Sequence, residues 1–179
     1  MTTSDRQSKS TGWPDRIHRV LKANGVRQVA YVPDAGHARL IQLCHADRGM
    51  RAVSLTTEEE GVALLAGAWL GGERGVLLMQ SSGAGNCINM LGMIQSYRFP
   101  LLMLVTMRGQ WGEFNPAQVP MGQATPVALA SIGVVVQEVD DAARVGETVS
   151  SAARLVFGAY RAVAVLISQR VVGAKKWDQ

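Results

Sequence analysis

Only two cysteines occur in 179 residues, Cys44 and Cys87, and they lie far apart with no Cys-x-x-Cys spacing. This excludes a disulfide-stapled scaffold and leaves both as buried free thiols. The three histidines, His18, His37 and His45, stand at no metal-ligand spacing to them, so no metal site is expected. Aromatic residues make up 6% of the chain and basic residues are scattered, apart from the terminal "GAKKW". Without a basic stripe interleaved with rings, and without a helix-turn-helix pattern, no nucleic-acid partner is expected. No apolar run approaches the roughly 20 residues that span a bilayer, so no membrane segment is expected. The opening "MTTSDRQSKSTG" lacks the apolar core of a secretory signal, and a cytoplasmic location follows as the expectation. Neither a G-x-G-x-x-G fingerprint nor a phosphate loop is found, which disfavours a free-standing nucleotide-binding domain.

What is present points to a globular domain. Apolar residues make up 47% and charged residues 18%. The formal net charge of +4 suits a mild attraction for small anions. Residues 1–13 read as a frayed tail and residues 14–179 as one domain. Helix and strand signals then alternate. "PDRIHRVLKANG" carries Ile17, Val20 and Leu21 at helical spacing, with Pro14 at its start and Gly25 at its end. Strands are expected at 29–33, 52–55, 75–80, 100–106, 133–139 and 162–168, each apolar and rich in branched residues. Helices are expected at 37–47, at about 58–70 and 86–97, and over the stretch from Asp140 to Tyr160. Residues 107–126, dense in glycine and proline, read as one long irregular excursion. The fold class is therefore α/β: a doubly wound parallel sheet of about six strands with helices on both faces.

In such folds ligands gather beyond the carboxyl ends of the strands. The segments that follow the strands there are "PDAGH", "TTEEEG", "SSGAGN" and "TMRG". In "TTEEEG", Thr57 with Glu60 fits a capping box, and acids in a first helical turn suit the helix dipole. That accounts for Glu60 and Glu58 but requires no third acid. Glu59 shares its face with Val62, Ala63 and Ala66, so its carboxyl is expected to be desolvated and able to share a proton. In "SSGAGN", Gly83 and Gly85 allow tight turns and close ligand approach, or simply shape a strand-to-helix turn. Asp34 and His37 follow the first strand, where Asp34 also reads as a helix cap beside a solvated histidine. Arg108 follows the fourth strand. It suits a two-pronged pair with an anion, or a surface pair with Glu113.

Three segments taken together resemble a known family. "EEEGVALLAGAWLGG", "GVLLMQSSGAGNCINML" and "YRFPLLMLVTMRGQWGEFNPAQVPMG" look like the pyrimidine-binding domain of thiamine diphosphate enzymes, in particular the sulfopyruvate and phosphonopyruvate decarboxylase branch. The resemblance runs over roughly residues 14 to 170. In this family the acid-bearing helix ends in a small-aromatic pair, matched by Ala68 and Trp69, and counting back places the family's glutamate at Glu59. The resemblance implies that Glu59 hydrogen-bonds a ring nitrogen of the cofactor's aminopyrimidine and so promotes formation of the carbanion that attacks a 2-oxo acid. It implies that Ser82, Gly83, Gly85 and Asn86 lie against the pyrimidine. Arg108 and Gln118, from "RGQWGEFNPAQVPMG", with Asp34 and His37, become candidates for the substrate side. No Gly-Asp-Gly occurs in the sequence. The resemblance therefore implies that a separate β subunit holds the diphosphate and Mg2+, in a cytoplasmic hetero-oligomer acting on a small anionic 2-oxo acid. Carboligation or carbon–carbon cleavage on the same cofactor, and a non-catalytic regulatory domain of the same fold, remain alternatives at this point.

Overall fold

The computed structural model describes residues 12–174. The basic end at Lys175 and Lys176 lies outside them, as does all of the expected tail except Gly12 and Trp13. The elements run α1 (Trp13–Ala23), β1 (Val26–Tyr31), α2 (Ala38–Ala46), β2 (Arg51–Ser54), α3 (Glu58–Leu70), β3 (Arg74–Gln80) and α4 (Ser81–Ala84). They continue with α5 (Ile88–Tyr97), β4 (Leu101–Thr106), α6 (Val119–Ser131), β5 (Val135–Val139), α7 (Val145–Ala159), β6 (Ala162–Ile167) and α8 (Gln169–Val172). The six strands form one sheet in the order β2-β1-β3-β4-β6-β5, and every pairing is parallel. The expected doubly wound α/β architecture is the observed one.

Burial explains why the chain winds both ways. All residues of β4 and β6 are buried, so both faces of the sheet centre need cover. Side chains alternate between the two faces. On one face Leu102, Leu104, Val163 and Val165 meet Ile17 and Leu21 of α1, Leu40 and Cys44 of α2, and Val149, Ala152 and Val156 of α7. On the other, Leu101, Met103, Val105, Ala164 and Leu166 meet Val62 and Leu65 of α3, Leu91 of α5 and Leu129 of α6. The connection after β1 thus covers one face and that after β3 the other. The pair β1/β3 is therefore a switch point of the sheet, where a crevice opens beyond the strand ends. Both cysteines are buried free thiols, as expected. No helix among the described residues is long and apolar enough to cross a membrane.

Four expectations need correction. Helix α1 begins at Trp13, one residue inside the expected tail, because Pro14 sits comfortably in a first helical turn. Strand β1 starts at Val26 and ends at Tyr31, not 29–33. Its polar start is held by Glu73, which bonds Gln28 and pairs with Arg27, while Val26 pairs with Arg74 on β3. "SSGAGN", expected as a tight strand-to-helix turn shaped by its glycines, is instead helical: α4 and a 3-10 turn over Gly85–Cys87 lead directly into α5. The 107–126 excursion is irregular only to residue 115. A 3-10 turn (Pro116–Gln118) and α6 follow, with a proline in the first turn of α6 and Pro126 inside it.

The packing predicts a contrast in stability. Leu104→Ala, at a fully buried site, costs about 2–5 kcal/mol, the range for emptying such a core position. Leu70→Ala, at a position 87% exposed, shifts stability by no more than about 0.5 kcal/mol. Urea unfolding followed by circular dichroism measures both.

Candidate active site

The acid triplet opens α3 with three different environments. Thr57 is the N-cap residue, but its side chain makes no capping bond. Glu60 accepts the amide of Thr56, one residue before the cap, at 2.9 Å, so the expected Thr57–Glu60 box is not made. Glu58 is buried, 8% exposed, and its Oε2 accepts from Asn86 Nδ2 at 2.9 Å. Glu59 is exposed. The expectation of a desolvated Glu59 is thus corrected for the chain by itself. Helical steps of 100° put Glu58 in line with Val62 and Leu65, both buried, and Glu59 in line with Ala63, which is exposed. The buried acid is the one the sequence reading assigned to capping. Its i, i+4, i+7 relation to Val62 and Leu65 was the signal that would have found it.

The turn after β3 stands against this helix start. Ser81 is buried; its Oγ accepts the Arg108 amide at 3.0 Å and its carbonyl accepts Thr125 Oγ1 at 3.2 Å. Ser82, Gly85 and Asn86 are exposed, while Gly83 is buried. Gly83 and Gly85 are absent from the glycines at positive φ, so neither serves to turn the chain. What Gly83 supplies is closeness: a Cβ there would lie 2.0 Å from Glu58 Oε1. At Gly85 an added Cβ would meet Met121 Cε at 3.2 Å.

Beside it, Asp34 bridges three strand ends. Its Oδ1 accepts from Gln80 Nε2 at 2.9 Å and its Oδ2 from Thr106 Oγ1 at 2.6 Å. Burial alone would raise the Asp34 carboxyl. The Thr106 hydroxyl, the charge of His37, and the Gln80 and Gly36 hydrogen bonds outweigh it and hold the carboxyl below its ordinary value. Gly36 is required there, since a Cβ would lie 2.8 Å from Asp34 Oδ2. His37 is fully buried, not a solvated donor. Its Nε2 lies 3.0 Å from the Leu104 carbonyl, which can only accept, so Nε2 carries the hydrogen, and Nδ1 has no partner. Burial lowers its pKa, chiefly by desolvation. His37 thus lies beneath the site, and the expectation that it faces a substrate is corrected.

Arg108 is 7% exposed, and its fork is already closed on Glu113: Nε and Nη2 each lie 2.6 Å from a carboxylate oxygen. Glu113 also accepts from the Gly109 amide at 3.2 Å, and from the Asn115 amide and Gln169 Nε2 at 3.0 Å each. The Gln169 side-chain oxygen Oε1 in turn accepts the Gln110 and Trp111 amides. The pair expected as a surface contact is therefore a buried, hydrogen-bonded clamp on residues 108–115, with side chains 8% and 4% exposed. The Arg108 hydrogen bonds push the Glu113 carboxyl down to about 2. Gln118 lies with its backbone under Gly109, and its Oε1 is buried without a partner. Asp34, Gly36, Thr106 and Arg108, with residues 172–174, line a cleft of about 190 Å3. A larger cleft of about 640 Å3 lies beyond β5 and β6, lined by Trp111, Gln123, Glu138, Asp140 and Arg170 among others, and contains none of the expected site residues. No group of three His, Cys, Asp or Glu among the described residues could hold a metal ion.

The family model described as "Thiamine pyrophosphate enzyme, N-terminal TPP binding domain" matches residues 14–124, which include Glu58, Glu59, the 81–86 turn and the Arg108 clamp. The chain belongs to the thiamine pyrophosphate enzymes. It is 33% identical over 154 residues to the sulfopyruvate decarboxylase subunit alpha of Methanothermobacter thermautotrophicus, covering 86% of this chain and 93% of that one. It is 35% identical over 121 residues to the subunit of the same name from Methanococcus maripaludis, covering 67% and 72%. Among solved structures it superposes, with a TM-score of 0.75 and 16% identity, on a 2-oxoglutarate:ferredoxin oxidoreductase from Magnetococcus marinus, covering 94% of this chain and 33% of that one. That likeness is one of fold.

The donor set suits the pyrimidine half of a thiamine pyrophosphate enzyme's cofactor. An aminopyrimidine offers ring nitrogens and an amino group. The exposed patch offers the Glu59 carboxylate, the Asn86 amide, the Ser82 hydroxyl and the bare backbone of Gly85.

The clamp on residues 108–115 sets a pH dependence. Glu113 ionises at about 2 in the folded chain against an ordinary value of 4.5. A depressed carboxyl stabilises the fold above the ordinary value, and that contribution is lost as pH falls through the folded one. Glu113→Gln is expected to cost about 3 kcal/mol near pH 7, because a buried guanidinium loses its counter-charge. The gap in thermal stability between wild type and variant should hold from pH 7 to 5 and narrow steadily below pH 4.5. Melting curves across that range check it.

Proposed function

We propose that the chain is the α subunit of a split thiamine diphosphate-dependent 2-oxo acid decarboxylase. The observation that carries this reading is the exposed Glu59, set in the first turn of α3 beside the Ser82–Asn86 turn at the β1/β3 switch point. The similarity to subunits named alpha, extending over most of the chain, supports it.

When bound, the cofactor supplies the nucleophile and the electron sink. Glu59 would hold a pyrimidine ring nitrogen through its carboxylate. Its exposure in the free chain suits a group that becomes buried only when the partner closes over it, where desolvation would favour proton sharing. Ser82, Gly85 and Asn86 would orient the ring, whereas Gly83, expected beside them, is buried under Glu58 and does not reach it. The Asp34–Arg108 cleft, with Gln118 behind it, takes the substrate side. Glu113 occupies two of the three guanidinium nitrogens, so Arg108 offers an anionic 2-oxo acid one remaining nitrogen and not an open fork. His37, buried and bonded to the Leu104 carbonyl, does not line this cleft.

Two outcomes test the reading. Mixed with a β chain carrying Gly-Asp-Gly, the protein should release carbon dioxide from sulfopyruvate in a thiamine diphosphate-dependent way, and without that chain it should not. Full activity of the pure chain by itself would overturn the split site. In the mixture, Glu59→Gln should lower kcat by about 10²–10⁴, the range for losing a positioned proton-transfer group. Glu60→Gln should cost about 1 kcal/mol of stability and leave turnover near wild type. Equal loss in both variants would remove Glu59 from the role.

A further inference from the structure

We propose that Glu58 is the positioning residue of this site. Its carboxylate locks the Ser81–Asn86 turn onto the first turn of α3, and by doing so fixes the orientation of the Asn86 amide relative to Glu59. The inference deepens the pyrimidine-binding reading and rests on it.

Three observations converge. First, of the three adjacent acids only Glu58 is buried, and its partner is a side chain of the facing turn and not of its own helix: Asn86 Nδ2 donates to its Oε2 at 2.9 Å across 28 residues of chain. An ionised carboxylate only accepts, so the amide must turn its NH2 inward. Asn86 then presents its carbonyl oxygen and its second N–H at the exposed surface in one orientation, not two. Second, Gly83 has no residue-specific backbone need, being helical and without positive φ. Its lack of a side chain is explained by Glu58: an added Cβ would fall 2.0 Å from Oε1, 2.1 Å from Cδ and 2.6 Å from Cγ. The carboxylate lies flat on the Gly83 backbone, so Glu58 and Gly83 specify one another. Third, the thiol of Cys87, at the end of the same turn, is pushed up to about 12, chiefly by burial and then by the negative charges of Glu58 and Glu59. The negative charges of both carboxylates are thus felt at the end of this turn. The chain places them on consecutive residues, so whatever Glu58 grips is held at a set distance from Glu59.

The test separates this role from the function itself. Amide hydrogen exchange over residues 81–87 is measured in the purified chain for wild type, Glu58→Ala, Glu58→Gln and Asn86→Ala. Glu58→Ala and Asn86→Ala should each speed exchange about tenfold or more, the factor carried by a hydrogen bond to a charged group. Glu58→Gln keeps an acceptor at the same place and should stay within about threefold of wild type. Asn86 is exposed, so its variant removes the bond without emptying a buried site. Gly83→Ala should be disruptive alone and far less so in the Glu58→Ala background, because the space it needs is then vacant. In the complex with the β chain, Glu58→Ala should raise the KM for thiamine diphosphate about tenfold and Glu58→Gln should restore it, whereas Glu59→Gln should lower kcat with exchange unchanged. Exchange in Glu58→Ala at the wild-type rate, equal damage in Glu58→Gln and Glu58→Ala, or no coupling between positions 58 and 83 would each overturn the proposal. If the complex shows no thiamine diphosphate-dependent activity with any variant, the functional reading falls while exchange still decides whether Glu58 locks the turn.

Discussion

The sheet centre admits no polar side chain until its carboxyl edge. In β4 the order Leu-Leu-Met-Leu-Val runs without interruption to Thr106, and in β6 the apolar run ends only at Ser168. With both faces covered by helices, a polar group inside either strand would lack a partner and cost several kcal/mol. Polarity is thereby confined to the strand ends. Gln80, Thr106 and Asp34 emerge there from β3, β4 and the segment after β1, and they bond one another because each would otherwise be half-buried and unsatisfied. The location of the site follows from core packing before any chemistry is considered.

The same logic separates residues that face a ligand from residues that support those that do. His37, Ser81, Thr125 and Gln169 are polar and buried, and each holds a backbone or side-chain group of the site in place. Glu59, Ser82, Gly85 and Asn86 are polar or bare and exposed on the same edge. An exposed set resting on a buried, bonded set is how a binding surface is kept rigid before its partner or ligand arrives.

Much of this was legible in the sequence. The six strands, the helical turns between them and the edge that gathers polar segments came from apolar periodicity, since the central strands and the helix faces obey it. The failures have local causes. Strand β1 was shortened because Arg27 and Gln28 look like loop residues, yet Glu73 neutralises one and bonds the other at the sheet's amino edge. Helix α6 was missed because Pro126 and Gly122 argue against a helix. Gly122 is there to let the Arg108 carbonyl approach, since a Cβ would lie 2.0 Å from it. The glycines of residues 81–86 suggest a tight turn, whereas Gly83 instead admits Glu58. In the acid triplet, counting from Ala68 and Trp69 selected Glu59, but only the helix's angular phase reveals that Glu58 is the one turned inward.

The clamp on residues 108–115 has a mechanical consequence. Arg108, Gln169 and the amides of Gly109 and Asn115 converge on Glu113, the amides of Gln110 and Trp111 bond Gln169, and Gly122 seats the Arg108 carbonyl directly on α6. A segment held this way cannot flutter, because no single bond can loosen while the others keep their geometry. It behaves as a strut continuous with α6 and α8. If it ever opens, it opens as one cooperative unit, at the pace of local unfolding and not of loop motion. Traffic into the adjacent cleft is therefore not metered by this segment, and the shielding of that cleft from water falls to whatever surface docks over the edge.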